Sequence, residues 1–184
     1  MQAQQQILRL LSLSAFLLAS SQGGAQSSVS EFNTVSTIRD LMDSVIDPNA
    51  DALWESVRTE INETGVHVYQ PETDADWLAL RHNVVSLIEG GNSLLIPGRR
   101  VAPEGAGTDP EIPYAYPPEQ IQTALENERP VFNGFASAFQ SVAMQLLNAV
   151  DARDVNALDE SGELLDQACE ACHSYFWYPP APAN

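Results

Sequence analysis

Lysine is absent from this 184-residue chain, and its eight basic residues are all arginines, against 25 Asp and Glu. The formal net charge is −17. So acidic a surface repels phosphate backbones, which speaks against nucleic acid and anionic membrane surfaces as partners. It suits steering toward a basic partner. Solubility or adaptation to salt accounts for the same charge equally well, because net charge governs association and not fold. Cysteine is scarce too. The two present, Cys169 and Cys172, sit close together near the C-terminus. A chain of this length can bury a real core without disulfide staples, so the pair is read as serving chemistry. No Ser-His-Asp set, phosphate-binding loop or dinucleotide fingerprint is visible, and no enzyme activity is expected.

Long apolar runs are confined to the start. Met1 to Gln6 is polar, Arg9 adds a positive charge, and Ile7 to Leu18 is rich in Leu with Ala and Phe. Small residues follow, ending in Gly23-Gly24-Ala25. This is the layout of a secretory signal peptide cleaved after Ala25. The apolar run is about a dozen residues, and a membrane span needs roughly 20. An uncleaved anchor is the alternative. The expectation is a signal peptide over 1–25 and a single exported domain over 26–184, with no membrane span after cleavage. Loss of Arg9 makes the mature chain one unit more negative.

Four segments carry helical periodicity. The first covers about Val35 to Ile61, with Val35, Ile38, Met42, Val45, Trp54, Val57 and Ile61 on one face and a break or fresh start at Asp47-Pro48. The second opens near Thr73, a plausible N-cap, with Asp74 and Asp76 in its first turn. Trp77, Leu80, Val84 and Leu87 line its face, and Gly90-Gly91 and Pro97-Gly98 weaken and end it. Residues 97–118 read as a long connector rich in Pro and Gly, either a cover over a ligand edge or a solvated insertion. A short helix follows over Glu119–Asn127. The third main helix starts at Pro130, with Phe132, Phe135, Phe139, Val142, Leu146 and Ala149 stepping by three and four as bundle core. The fourth begins after Asp154, and its seam is Val155, Leu158, Gly162, Leu165, Cys169, Cys172 and Phe176. Strand-period alternation is nowhere sustained, and Val66–Tyr69 is too short to count. The predicted fold is all-α, an antiparallel four-helix bundle with a long loop between helices 2 and 3.

Cys169-Glu170-Ala171-Cys172-His173 is a C-x-x-C-H run, the attachment pattern of haem c. Two thiols three positions apart on a helix project to one side, so each can add to one vinyl group of a protoporphyrin. His173, four positions after Cys169, shares that face and places an imidazole where it reaches the iron. Structural zinc needs about four ligands. These residues give three, leaving His67 or His82 to complete the set. A thioredoxin-like pair belongs at a helix start after a strand, whereas this one sits late in a helix. A buried or disulfide-linked pair is the remaining alternative.

With this run in the last helix, an aromatic three residues on (Phe176), and Arg39-Asp40-Leu41-Met42 in the first helix, the chain resembles the cytochrome c-prime family and its low-spin relatives. The resemblance implies a four-helix bundle with one covalent haem c. It implies Arg39 near a haem propionate and Met42 on the open side of the iron. It also implies pairing into a homodimer through the first two helices. The family commonly has a basic residue just after the aromatic, where this chain has Trp177, so its proximal electrostatics do not carry over.

The sixth iron position sets the function. Ligation by Met42 gives a six-coordinate site suited to electron transfer. If Met42 only packs nearby, the iron is five-coordinate and binds nitric oxide or another small gas. His82 and His67 are rival ligands. Arg99 and Arg100 could reach the haem propionates from the loop, but the favoured reading is a solvated loop pair. The leading expectation is a periplasmic electron carrier meeting a redox partner with a basic surface. Asn62-Glu63-Thr64 matches a glycosylation acceptor and is read as chance.

Overall fold

A computed structural model describes residues 32–108 and 112–178. The expected signal peptide lies outside the described residues. The fold is mostly helical with one small sheet. Helix α1 (Ile38–Leu41) passes through a π-helical turn (Met42–Ile46) into α2 (Asp47–Trp54). Strands β1 (Arg58–Asn62) and β2 (Gly65–Tyr69) follow. Then come α3 (Asp74–Leu95), α4 (Pro118–Asn127), α5 (Arg129–Ala152) and α6 (Val155–Phe176). Helix α5 packs against both α3 and α6, and α2 packs against α3 and α6. No helix among the described residues is long and apolar enough to cross a membrane.

The helix starts are written locally. Thr37 and Asp40 form a capping box on α1, with the Thr37 amide donating to Asp40 Oδ2 at 2.7 Å. Thr73 and Asp76 repeat it on α3, and Asp154 caps α6 through the Ala157 amide. Two further donors at the start of α1 are satisfied from far away. Ile38 and Arg39 amides donate to the carbonyls of Arg100 and Val101 at 2.8 and 2.9 Å.

The structure corrects the sequence reading in several places. Residues 58–69 form an antiparallel hairpin, so the first helical run stops at Trp54 and the chain is not free of strands. Thr59, Ile61, Val66 and Val68 share one hairpin face, and Ile61 is 78% exposed, so it does not extend a buried stripe. Arg58 stacks over the Tyr69 ring at 4.1 Å on the other face. Val57 and Ile61 also fit helical spacing, and Val66–Tyr69 is too short for its alternation to stand out. Val35 is likewise 84% exposed, ahead of the first helix.

Gly90 and Gly91 do not end α3, which runs on to Leu95. Both glycines are buried at helix crossings. A Cβ on Gly90 would sit 2.9 Å from Ile46 Cγ1, and one on Gly91 would sit 2.6 Å from Gln140 Cγ and 3.2 Å from Phe139 Cδ1. Close approach of the π turn and α5 compensates for the poor helix propensity of glycine. Arg129 then donates to the Leu94 and Ile96 carbonyls at 2.9 and 3.3 Å and closes the helix end.

Arg99 is not part of a solvated pair. It is buried, and its guanidinium donates to the carbonyls of Ser93 and Ser36 and to Ser36 Oγ. One side chain thus ties the connector to α3 and to the segment before α1. Arg100 is exposed, with Glu104 at 3.8 Å.

The core runs along the seams of α3, α5 and α6. On α5 the buried stripe is wider than the expected heptad seam, since Ala136, Ala143 and Val150 are buried beside Phe132, Phe139 and Leu146. Gly91→Val is expected to cost about 1–3 kcal/mol of stability by overpacking against α5. A lowered urea midpoint with an unchanged slope checks this, and an unchanged midpoint refutes the close-approach role.

Candidate functional site

The stripe of α6 decides which way its chemistry points. Leu158, Leu165 and Phe176 are buried, and Cys169 and Cys172 continue the same face as half-buried free thiols. They open onto a cavity of 140 Å³ enclosed by the first helical run, α5 and α6. His173, Met42 and Trp177 line it as well. Residues 131 positions apart, Met42 and His173, therefore meet at one cavity that no single segment forms.

The walls are apolar. Phe132, Phe135 and Ala136 come from α5, Ile46 and Ala50 from the first helical run, and Leu94 from α3. The α5 phenylalanines are thus both core and cavity wall, where the sequence reading favoured bundle core over cofactor contact. Phe176 locks this end of α6 by edge-on contacts with Phe132 and Phe135, at ring-centroid distances of 5.9 and 6.1 Å. Trp177 lies 6.0 Å from the His173 ring and stands where a cation was expected by resemblance.

Burial pushes the pKa of both thiols up to about 12. Around Cys169 the carboxylates of Asp47, Asp166 and Glu170 add to the rise, and Cys169 itself adds to that of Cys172. The thiols stay protonated at neutral pH, the opposite of the depressed pKa that marks an exchange-active cysteine. The Asp47 carboxyl, at the cavity rim, is raised above the usual carboxylate value by partial desolvation, with His173 opposing and Asp43 and Asp51 adding to the rise. Glu170 Oε1 lies 3.5 Å from His173 Nδ1, an ion-pair distance when the ring is protonated.

The other candidates lie elsewhere. His82 is exposed on α3, and His67 sits in the hairpin with Nε2 2.8 Å from Thr64 Oγ1. Neither lines the cavity, so neither completes a tetrahedral zinc site there. Among the described residues no group of three or more His, Cys, Asp or Glu is placed to hold a metal ion. Arg39 is half-buried, donates to the Gly107 carbonyl at 3.2 Å, and is not a lining residue. No described residue of the 97–117 stretch lines the cavity. That connector instead pins the start of α1 and, through the Tyr116 amide and the Trp177 carbonyl at 2.8 Å, the end of α6.

Sequence reading missed Asp47 and Trp54. Trp54 lines the cavity and donates its indole N–H to the Gly162 carbonyl at 3.0 Å. Its place on the first apolar stripe gave no sign of a boundary role.

The donor set fits a covalently bound haem: two thiols and an imidazole on one helix, apolar walls, and a thioether from another helix. Pockets that enclose drug-sized ligands run from roughly 300 Å³. Seating a porphyrin therefore requires the surrounding side chains to part. No protein-family model, curated protein or solved structure matches the chain.

A thiol whose pKa is raised by folding resists ionisation in the native state, so it adds no penalty below about pH 9 and destabilises the fold as pH rises from there toward 12. For the cofactor-free polypeptide, urea unfolding is expected to show stability falling above pH 9. The fall should be blunted in the Cys169→Ala, Cys172→Ala double variant. Native thiols alkylating at pH 8 as fast as those of the unfolded chain would contradict the burial.

Proposed function

We propose that this chain is an exported mono-haem c-type cytochrome, an electron carrier of the periplasm folded as an antiparallel four-helix bundle. The observation that carries the reading is the C-x-x-C-H run opening onto one apolar-walled cavity that Met42 also lines. When bound, the haem supplies a one-electron iron couple.

The remaining chemistry belongs to the chain. Cys169 and Cys172 would hold the haem through thioether bonds, and His173 would supply an imidazole nitrogen to its iron. Glu170, near Nδ1, orients the imidazole so that Nε2 is left for the metal. Met42 would supply its thioether sulfur to the iron as the second protein ligand, and it opens a π-helical turn, a local form frequent at functional sites. Histidine–methionine ligation raises the potential. Phe132, Phe135 and Phe139 exclude water from the ring. Arg39, three residues before Met42, is the proposed propionate partner, since a guanidinium binds a carboxylate through two parallel hydrogen bonds.

Mature protein from a host competent in cytochrome maturation is expected to be coloured and to keep one haem's mass after denaturation. The oxidised form should show a methionine–iron charge-transfer band that Met42→Ala abolishes. A high-spin wild-type spectrum would instead assign the five-coordinate, gas-binding alternative. An unchanged low-spin spectrum in Met42→Ala would remove Met42 as ligand. Colourless material with both thiols free to react would sink the cytochrome reading.

A further inference from the structure

A second hollow lies beside the cysteine cavity. It is a cleft of 500 Å³ between α2 and α6, with Leu53, Leu158 and Trp54 among its walls. Asp159, Glu163 and Asp166 also line it, spaced by four and three so that they share one face of α6. All three carboxylate side chains are exposed, and no arginine or histidine is among the lining residues. Among the described residues none of the three forms an ion pair or a hydrogen bond. Trp54 is 36% exposed, lines the cleft and donates its indole N–H to the Gly162 carbonyl. Trp54 and Asp166 line the cysteine cavity too.

We propose that this cleft docks a lysine or arginine side chain projecting from the surface of a basic electron-transfer partner. The aliphatic stem of such a side chain fits the apolar walls while its charged head meets the acidic rim. A tryptophan face is the best aromatic partner for a cation. Complementary potentials also steer the encounter of the two proteins. The shared Trp54 wall leaves a docked partner one side chain away from the cysteine cavity. Each encounter moves a single electron, oxidising the carrier and reducing the partner, with no atom or proton transferred. The identity of the partner as a redox protein rests on the cytochrome reading, whereas the cationic preference of the cleft does not.

The test uses the full mature protein, a tetralysine peptide as binding probe and a small lysine-rich cytochrome as electron acceptor. Asp159→Asn with Glu163→Gln is compared with Glu63→Gln plus Glu119→Gln, which removes the same charge far from the cleft. Circular dichroism and melting temperature verify that both variants fold. The cleft pair is expected to weaken peptide binding at low salt about tenfold and to slow electron transfer by a similar factor. The control pair should change either by less than about twofold. Trp54→Leu should weaken peptide binding about threefold. Equal losses in both pairs would assign the effect to the general acidic field and overturn the cleft. Weakened peptide binding with an unchanged electron-transfer rate would overturn partner docking. A colourless protein that still shows the peptide contrast would sink the electron-carrier reading alone, and a coloured protein without that contrast would sink the cleft alone.

Discussion

Burial of one stripe on α6 is the constraint from which the rest of the arrangement follows. Leu158, Leu165 and Phe176 must leave water, and each fully buried side chain of this kind contributes about 1.5–3 kcal/mol. Cys169 and Cys172 fall on the same three-and-four spacing, so the rotation that buries the hydrocarbon also turns the thiols inward. Partial loss of water then keeps both thiols protonated. The pair is thereby withheld from disulfide exchange and held against an apolar cavity. Holding the helix and aiming its sulfur atoms are one act of packing.

What faces those sulfurs is set by contacts far apart in the chain. The carbonyls of Arg100 and Val101 accept from the first two amides of α1, and Arg99 ties the same stretch to Ser36 and Ser93. Gly90 lets the π turn approach α3 through Ile46, while Gly91 lets α5 approach through Phe139. These contacts fix the height and rotation of the segment that carries Met42. The connector therefore acts on the site indirectly, as a splint at both ends of the site's helices, although it contributes none of the cavity's described lining residues.

Charge is organised around the same place. Asp47 on the first helical run, with Asp43 and Asp51 near it, stands by the end of α6 that bears Glu170 and Asp166. After burial, which is the larger cause, Asp47, Asp166 and Glu170 raise the pKa of Cys169 and oppose further negative charge in the cavity. Toward solvent, the acids of α6 rim the Trp54 cleft. A net charge that by itself speaks only of solubility acquires a direction once the fold gathers carboxylates beside one aromatic wall.

The two thiols and the imidazole that meet at the cavity could be singled out in the linear order because Cys169, Cys172 and His173 lie within one five-residue run on a strongly periodic helix. The capped starts of α3 and α6 were legible for the same reason, since Thr73, Asp76 and Asp154 act on amides within one turn. The hairpin was not, because Ile61 and Val57 satisfy helical spacing and nothing local rejects it. Nor were the roles of Arg99, Gly90, Gly91 and Trp54, whose partners are 6 to 108 positions away. Local hydrogen bonding and the period of apolar residues decide which helices exist and which face each one buries. Only tertiary packing decides which buried faces meet, because van der Waals contact and burial depend on separation in space and carry no record of separation along the chain.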